Sequence, residues 1–159
     1  MKRLALMRHG SSPSALAAGV DSDFLRPLSD QGRAEAKEAA QLLSQNGVSF
    51  DLILSSPLLR AAQTAEVLGE LLHVPVASLP ALDGSFGPSE LWNVLLPSFS
   101  RYDCLIAVGH QPVMGFLAGA LLRRAPVAFS PGNCMLLAFD GDVQGGGQLT
   151  EAKLELASN

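Results

Sequence analysis

Two histidines stand directly after the ends of apolar segments, where their side chains are available for chemistry. His9 follows the run at residues 4–7 and one arginine, and His110 follows the run at residues 103–108 and one glycine. Short apolar runs bounded by turn residues are typical of buried strands. The carboxyl ends of parallel strands meet at one edge of a sheet, which is where open α/β folds bind ligands. We therefore expect both imidazoles at that edge, a placement that favours a functional role over a structural one.

Two arginines are expected beside these histidines. Arg8 precedes the first histidine, and Arg60 falls in the first turn of a predicted helix. That helix follows a strand at residues 50–54, with Ser56 as N-cap and Pro57 as the first helical residue. A cation at a helix N-terminus opposes the helix dipole, so a cluster of two guanidinium and two imidazole groups is unfavourable unless an anion occupies it. Phosphate matches the fork geometry of guanidinium best, so the cluster predicts a phosphate site.

A histidine within an arginine-lined phosphate site can act as a nucleophile. The neutral ring has a lone pair on one nitrogen, nearby cations lower its pKa, and guanidinium groups neutralise the phosphoryl charge. The predicted chemistry is phosphoryl transfer through a covalent phosphohistidine, which requires no metal because the arginines supply the positive charge. A metal site built on His9 and His110 is disfavoured, since the flanking arginines would repel the cation.

The rest of the chain alternates predicted strands and helices. Apolar residues at helical spacing predict one helix with Ser29 as N-cap and a later helix opened by Pro112, whose Gly115 and Gly119 are expected to pack closely on the sheet. Further expected elements are strands at 76–79, 135–139 and 148–156, a helix at 90–99 and a hairpin turn at 140–147. This order predicts a single α/β domain over residues 1–159, with a mainly parallel sheet and an antiparallel edge.

Composition narrows the class of protein. Of the 159 residues, 48% are hydrophobic and 16% are charged, as in a folded globular chain. A net charge of -4 gives no electrostatic support for nucleic-acid binding. The apolar run at residues 113–122 is too short to span a bilayer, so we expect a cytoplasmic protein with no membrane partner. Cys104 and Cys134 are interpreted as buried free thiols, and Asp21 and Asp23 as solvated loop acids.

Four segments resemble motifs of one enzyme family. LMRHG at residues 6–10 resembles the RHG motif of the histidine phosphatase superfamily, which has the phosphoglycerate mutase-like fold. SSPLLRAAQTA at 55–65 is similar to its second arginine motif, and VGHQP at 108–112 to its second histidine motif. RPLSDQG at 26–32 resembles the segment found in SixA-type phosphohistidine phosphatases. The matches occur in the family's order, which makes the set far more specific than the RHG tripeptide alone.

This resemblance implies a three-layer α/β/α sandwich, no cofactor, and His9 as the nucleophile. The phosphate-binding groups that it implies are Arg8, Arg60 and His110. Ser11 and Ser12 are either further phosphate contacts or ordinary loop serines. Gln63 is expected to support the site rather than to bind the ligand.

The proton donor is where the chain departs from the larger family members. Those members carry a glutamate in a Glu-x-x-x-Gly setting, whereas here Asp83 and Gly87 keep the spacing with a shorter acid. Asp83 is thus a candidate acid or a turn residue. Protonating an alkoxide leaving group contributes about 10²–10⁴-fold to the rate, and an imidazole that leaves from a phosphoramidate needs this help much less.

The leading hypothesis is therefore a protein phosphohistidine phosphatase, whose substrate is a histidine-phosphorylated protein domain. The short chain leaves little sequence for a lid, and an open site admits a side chain presented by another protein. One alternative is a small-molecule phosphomonoesterase or mutase acting on a sugar, nucleotide or cofactor-precursor phosphate. Another is a phosphate-binding module without catalysis, which the intact set of two arginines and two histidines disfavours.

Overall fold

One sheet positions the ends of the strands that carry the candidate residues. The computed structural model describes residues 1–141, 143 and 151–158. Its strands are β1 (Lys2–Arg8), β2 (Leu52–Ser55), β3 (Val76–Ser78), β4 (Cys104–Gly109), β5 (Cys134–Phe139) and β6 (Ala152–Ala157). The order across the sheet is β3-β2-β4-β1-β5-β6. β1, β2, β3 and β4 pair in parallel, and β5 and β6 are antiparallel additions at one edge, which confirms the predicted sheet.

Helices cover both faces of this sheet. They are α1 (Ala15–Ala18), α2 (Asp30–Ser44), α3 (Leu59–Leu72), α4 (Pro88–Leu95) and α5 (Val113–Leu121). Because side chains alternate along a strand, Leu4 and Leu6 of β1 bury in one cluster with α4 and α5. Ala5 and Met7 of the same strand bury in a second cluster with α2 and α3. The fold is therefore the three-layer α/β/α sandwich that the resemblance implied.

The start of α2 was correctly predicted, whereas the start of α3 was not. Ser29 caps α2, and its hydroxyl accepts a hydrogen bond from the Gly32 amide at 3.0 Å. α3 begins at Leu59, and Leu58 occupies its N-cap position without a side-chain cap bond. The predictions that Ser56 is the N-cap and Pro57 the first helical residue are wrong. The Ser56 hydroxyl accepts the Leu58 amide at 3.1 Å and contacts a histidine ring, described below, so it lies before the helix.

The predicted helix at 90–99 divides into two elements. α4 ends at Leu95, and a 3-10 helix continues over Leu96–Ser100. The glycines of α5 also differ from expectation, because they do not face the sheet. A Cβ atom at Gly115 would collide with the carbonyl oxygen of Val127, and one at Gly119 would lie 2.7 Å from that of Ala125. Both glycines therefore allow the loop that follows the helix to pack directly against the helix backbone.

A pair of glycines holds the loop after β1 against α2. A Cβ atom on Gly10 would lie 2.6 Å from the carbonyl oxygen of Gly32, and one on Gly32 would collide with the carbonyl oxygen of Ser11. The Ser29 amide donates to that same Ser11 carbonyl at 2.9 Å. Close backbone approach of this kind requires residues without side chains.

Other expectations concern the thiols, the hairpin and membrane spans. Cys104 and Cys134 are free and buried, as predicted. β6 begins at Ala152, and the predicted hairpin at 140–147 lies for the most part outside the described residues, as does the start of the strand predicted at 148–156. Within residues 1–141, 143 and 151–158, none of the helices combines the length and the hydropathy that a membrane span requires.

Candidate active site

The two histidines meet at the carboxyl ends of β1 and β4. These strands are neighbours in the parallel part of the sheet, and the His9 amide donates to the Gly109 carbonyl at 3.0 Å. The ring centroids of His9 and His110 lie 5.0 Å apart. Exposed fractions of 8% and 7% show that both rings are nearly buried, although both line a pocket of about 370 Å³. The structure thus places the two imidazoles together at one edge of the sheet, the edge at which they were expected.

Arg8 and Arg60 line the same pocket. Arg8 Nη1 donates to the Phe129 carbonyl at 3.0 Å, and Arg60 Nη1 donates to the Asp23 carbonyl at 2.8 Å. The Nε–H groups of both arginines are buried and have no hydrogen-bond partner among the described residues. Two guanidinium groups thus bring positive charge to one pocket, and phosphate is the anion that matches guanidinium geometry best.

His9 is held as a neutral ring of one tautomer. Its Nδ1 lies 2.7 Å from the Gly10 carbonyl oxygen, and because a carbonyl oxygen only accepts, Nδ1 carries the proton. The lone pair is therefore on Nε2. Burial lowers the pKa of His9 to about 4, and the charges of Arg60 and Arg8 act in the same direction. A neutral imidazole with a free Nε2 lone pair is a competent nucleophile at neutral pH.

His110 is held by Ser56. Its Nε2 lies 2.7 Å from the Ser56 hydroxyl, and both side chains are buried. Burial lowers the pKa of His110 to about 4, and the His9 ring and Arg60 contribute to the same shift. The ring is thus neutral at pH 7, and the Ser56 hydroxyl holds it through Nε2. Arg8, His9, Arg60 and His110 together form what we call the floor of the pocket.

Asp23, Arg26 and Asp83 form what we call the rim of the pocket. The carboxylate of Asp23 accepts from Arg60 Nη2 at 3.1 Å and from Arg26 Nη1 at 2.9 Å. The hydrogen bond from Arg26 is the main cause that lowers the pKa of Asp23. The interpretation of Asp23 as a solvated acid is confirmed by a side chain that is 63% exposed, but it omits that this side chain links two arginines of the pocket.

Asp83 lines the pocket in an ionised form. Its Oδ1 accepts the Ser85 amide at 2.8 Å and also the Ser85 hydroxyl, so Asp83 closes an Asx turn. These two bonds lower the pKa of Asp83, and the bond from the Ser85 hydroxyl is the larger cause. A carboxylate of this kind accepts hydrogen bonds at neutral pH and has no proton to donate. The candidate role as general acid is therefore disfavoured by its surroundings.

Comparison with known proteins identifies the family. Residues 4–91 match the model of the histidine phosphatase superfamily, branch 1. The chain belongs to this superfamily. It is accordingly a hydrolase that acts on phosphate groups.

Relatives and solved structures agree with this assignment. The chain is 32% identical over 120 residues to the phosphohistidine phosphatase SixA of Escherichia coli (strain K12), a match that covers 73% of this chain and 71% of that protein. A protein histidine phosphatase SixA solved with tungstate superposes with a TM-score of 0.82, at 24% identity, over 98% of this chain and 95% of that one. A mycobacterial glucosyl-3-phosphoglycerate phosphatase solved with VO3 superposes with a TM-score of 0.70, at 19% identity, over 98% of both chains. The two structural matches show the fold alone.

Two predicted contacts of this histidine phosphatase lie elsewhere. Ser11 donates its amide and hydroxyl to the two carboxylate oxygens of Glu35, at 2.7 and 2.9 Å. The Ser12 hydroxyl donates to the Pro27 carbonyl at 2.6 Å. Neither serine lines the pocket, and both fix the loop that follows the first histidine. Gln63 accepts the amide of Leu28 at 2.8 Å, which is a supporting contact of the expected kind.

Sequence reasoning missed three residues at the pocket. Ser56 was interpreted as a helix cap, Asp23 as a loop acid, and Arg26 only as part of a resembling segment. The one usable signal was the spacing of Asp23 and Arg26, since residues three apart in a helical turn can form an ion pair. The described residues include no cluster of three or more histidine, cysteine, aspartate or glutamate side chains that could hold a metal.

Proposed function

We propose that this histidine phosphatase removes the phosphoryl group from phosphorylated histidine side chains of a protein, through a covalent phosphohistidine on His9. One observation carries the proposal: the Nε2 lone pair of a neutral, nearly buried histidine shares a pocket with the arginines Arg8 and Arg60. A phosphoryl group supplies oxygen acceptors for the guanidinium groups and an electrophilic phosphorus for the imidazole.

The proposed reaction has two displacements. His9 Nε2 attacks phosphorus while the bond from phosphorus to the substrate nitrogen breaks, and the electron pair stays on the leaving imidazole. Arg8, Arg60 and His110 stabilise the charge on the phosphoryl oxygens during this transfer. Water then attacks the phosphorus on His9, phosphate is released, and the electron pair returns to Nε2.

Two further observations support phosphohistidine as the substrate class. The pocket offers an ionised Asp83 rather than a protonated acid, and an alkoxide leaving group needs a proton donor more than an imidazole does. The relative that is 32% identical is a phosphohistidine phosphatase. We also propose that residues 1–159 form one domain, on the basis of the single sheet, and that the protein is cytoplasmic, which its two buried free thiols favour.

The experiment is to trap the phospho-enzyme. The protein is mixed with a histidine-phosphorylated, phosphorus-32-labelled protein domain and quenched in alkali, which preserves phosphohistidine. We expect label on His9 in the wild type, none in His9→Ala, and a loss of kcat/KM of about 10⁴–10⁶-fold in that variant.

His73→Asn is the matched control for this variant. His73 has a left-handed backbone with φ of 57°, which asparagine tolerates, and it lies at the end of α3 outside the pocket. Label retained by His9→Ala would contradict the nucleophile assignment. Hydrolysis of sugar or nucleotide phosphates without any action on the phosphorylated domain would instead favour the small-molecule alternative.

A further inference from the structure

Asp83 has one carboxylate oxygen engaged and one available. Oδ1 receives both hydrogen bonds from Ser85, whereas Oδ2 has no partner among the described residues. The side chain lines the pocket, and the next residue packs against a floor histidine, because a Cβ atom on Gly84 would lie 3.7 Å from His110 Cβ. An anionic acceptor therefore stands at the rim, beside the floor that receives the phosphoryl group.

The Gly10 carbonyl in the floor illustrates how a hydrogen-bond acceptor affects a phosphorylated imidazole ring. His9 donates its Nδ1 proton to the Gly10 carbonyl, so a phosphoryl group on Nε2 would be attached to a ring that keeps its second N–H. A phosphoimidazole with a proton on the other nitrogen departs as neutral imidazole, whereas one without that proton must leave as an anion. The carbonyl of Gly10 thus favours cleavage of the phospho-enzyme. The substrate phosphohistidine needs an equivalent acceptor, and the floor holds none for it.

We propose that Asp83 accepts a hydrogen bond from the unphosphorylated ring nitrogen of the substrate phosphohistidine and stabilises its imidazolium form. The inference rests on the proposed function and assigns the residue that selects an imidazole leaving group. The bond that forms joins phosphorus to His9 Nε2, and the bond that breaks joins phosphorus to the substrate nitrogen. The electron pair remains on the substrate ring, and the ring proton stays where it was. No general acid takes part.

This role differs from acid catalysis in its consequence for esters. An alkoxide leaving group requires a proton, which an ionised Asp83 does not supply, so alkyl phosphates are poor substrates. An aryl phosphate with a stable phenolate leaving group needs neither a proton nor an acceptor, so its rate is independent of Asp83. The substrate preference of the enzyme therefore follows from a hydrogen bond to the leaving group rather than from the shape of the pocket.

The test compares Asp83→Asn with the wild type on N-phosphoimidazole, 4-nitrophenyl phosphate and glycerol phosphate. Asparagine keeps the Asx turn through its own Oδ1, so the loop is preserved, and it replaces the available Oδ2 acceptor with an uncharged NH2 donor. We expect kcat for N-phosphoimidazole to fall about tenfold or more, as for loss of a hydrogen bond to a charged group, and kcat for 4-nitrophenyl phosphate to change by less than about twofold, with any change in KM common to both substrates. Asp21→Asn is the control, because Asp21 is an exposed acid that does not line the pocket.

The outcomes separate this inference from the function on which it rests. Equal losses on N-phosphoimidazole and 4-nitrophenyl phosphate would overturn the inference, as would a loss confined to glycerol phosphate, which is the behaviour of a general acid. Both results leave the proposed phosphohistidine activity intact. A wild-type enzyme that hydrolyses glycerol phosphate but not N-phosphoimidazole would contradict the proposed function and the inference together. Ser85→Ala provides a second variant, and we expect a smaller loss in the same direction.

Discussion

The floor and the rim of the pocket are built in different ways. Three of the four floor side chains, those of His9, Arg60 and His110, are nearly buried, and the two rings are held by a main-chain carbonyl and a buried hydroxyl, from Gly10 and Ser56. In the rim, Asp23 and Arg26 form a partly exposed ion pair, and Asp83 is held by Ser85 in its own loop. Contacts inside the core fix a group more firmly than exposed ion pairs, which contribute about 0–1 kcal/mol. We therefore expect changes in the floor to impair the chemistry, and changes in the rim to alter substrate binding.

The largest effect among floor variants other than the nucleophile is expected at Arg60. Arg60→Ala should lower kcat/KM about 10²–10³-fold, since it removes a preorganised donor to the phosphoryl oxygens. Arg60→Lys should recover only part of this loss, because an ammonium group cannot bind in the two-pronged manner of guanidinium. Steady-state kinetics on an aryl phosphate measures both, with Arg33→Ala, an exposed arginine of α2, as control. If Arg60→Ala kept a near-normal kcat/KM, floor side chains would not matter more to the chemistry than rim side chains.

A smaller loss is expected when the buried hydroxyl beside His110 is removed. Ser56→Ala should lower kcat about tenfold through loss of one hydrogen bond that orients the ring. The nitrogen-15 chemical shifts of the imidazole report which ring nitrogen carries the proton, and they should change for His110 but not for His9. Ser100→Ala removes an exposed hydroxyl bonded to the Pro97 carbonyl and serves as control. Unchanged His110 shifts in Ser56→Ala would show that the hydroxyl has no part in fixing the ring.

The rim should respond more weakly. Asp23→Asn removes one charged contact to Arg60 but keeps the bond from the Asp23 main-chain carbonyl, so the guanidinium remains partly anchored. We expect KM to rise about two- to fivefold with kcat unchanged, in line with the small contribution of exposed ion pairs. A fall in kcat with KM unchanged would show that Asp23 contributes to the chemistry, as the floor residues do, rather than to substrate binding.

The smallest effect is expected from moderate acidification. His9 and His110 have pKa values lowered to about 4, so both remain neutral as the pH falls from 7 to 5. Activity should decline only as the pH approaches 4, because a protonated His9 has no lone pair to attack phosphorus. Once corrected for ionisation of the substrate, kcat/KM should change less than about twofold over this range, whereas a histidine of ordinary pKa would lose about 30-fold. A decline centred near pH 6.5 would contradict the buried, neutral floor.

The sheet and the meeting of the floor residues could be predicted from local patterns. Apolar runs that end in Arg8 and His9, and in His110, mark strand ends at one edge of a parallel sheet. That the two strands are neighbours is seen only in the structure. Ser56 could not be placed in the same way. Its pattern before a proline is typical of a helix start, and its actual partner, His110, is 54 positions away in the sequence.

The rim could not be predicted because no periodic pattern controls it. Asp23 opens a short 3-10 helix (Asp23–Leu25) between α1 and α2, and Arg26 directly follows it. Contact with the distant Arg60 leaves no local signature in such a short element. The role of Asp83 remained open for a related reason. Its spacing to Gly87 suits both a catalytic acid and a turn, and only the two hydrogen bonds from Ser85 distinguish an ionised carboxylate from a proton donor.

The contact between Gly10 and Gly32 makes the reactivity of the nucleophile depend on a helix that never touches the substrate. The carbonyl that accepts the ring proton of His9 belongs to the peptide that joins Gly10 to Ser11. A Cβ atom at Gly32 would lie 2.9 Å from the nitrogen of that peptide and would collide with the Ser11 carbonyl oxygen. An alanine at position 32 would displace the Gly10 carbonyl and release the ring to exchange its tautomers. Position 32 is thus intolerant to mutation for a chemical reason, although Gly32 lies outside the pocket.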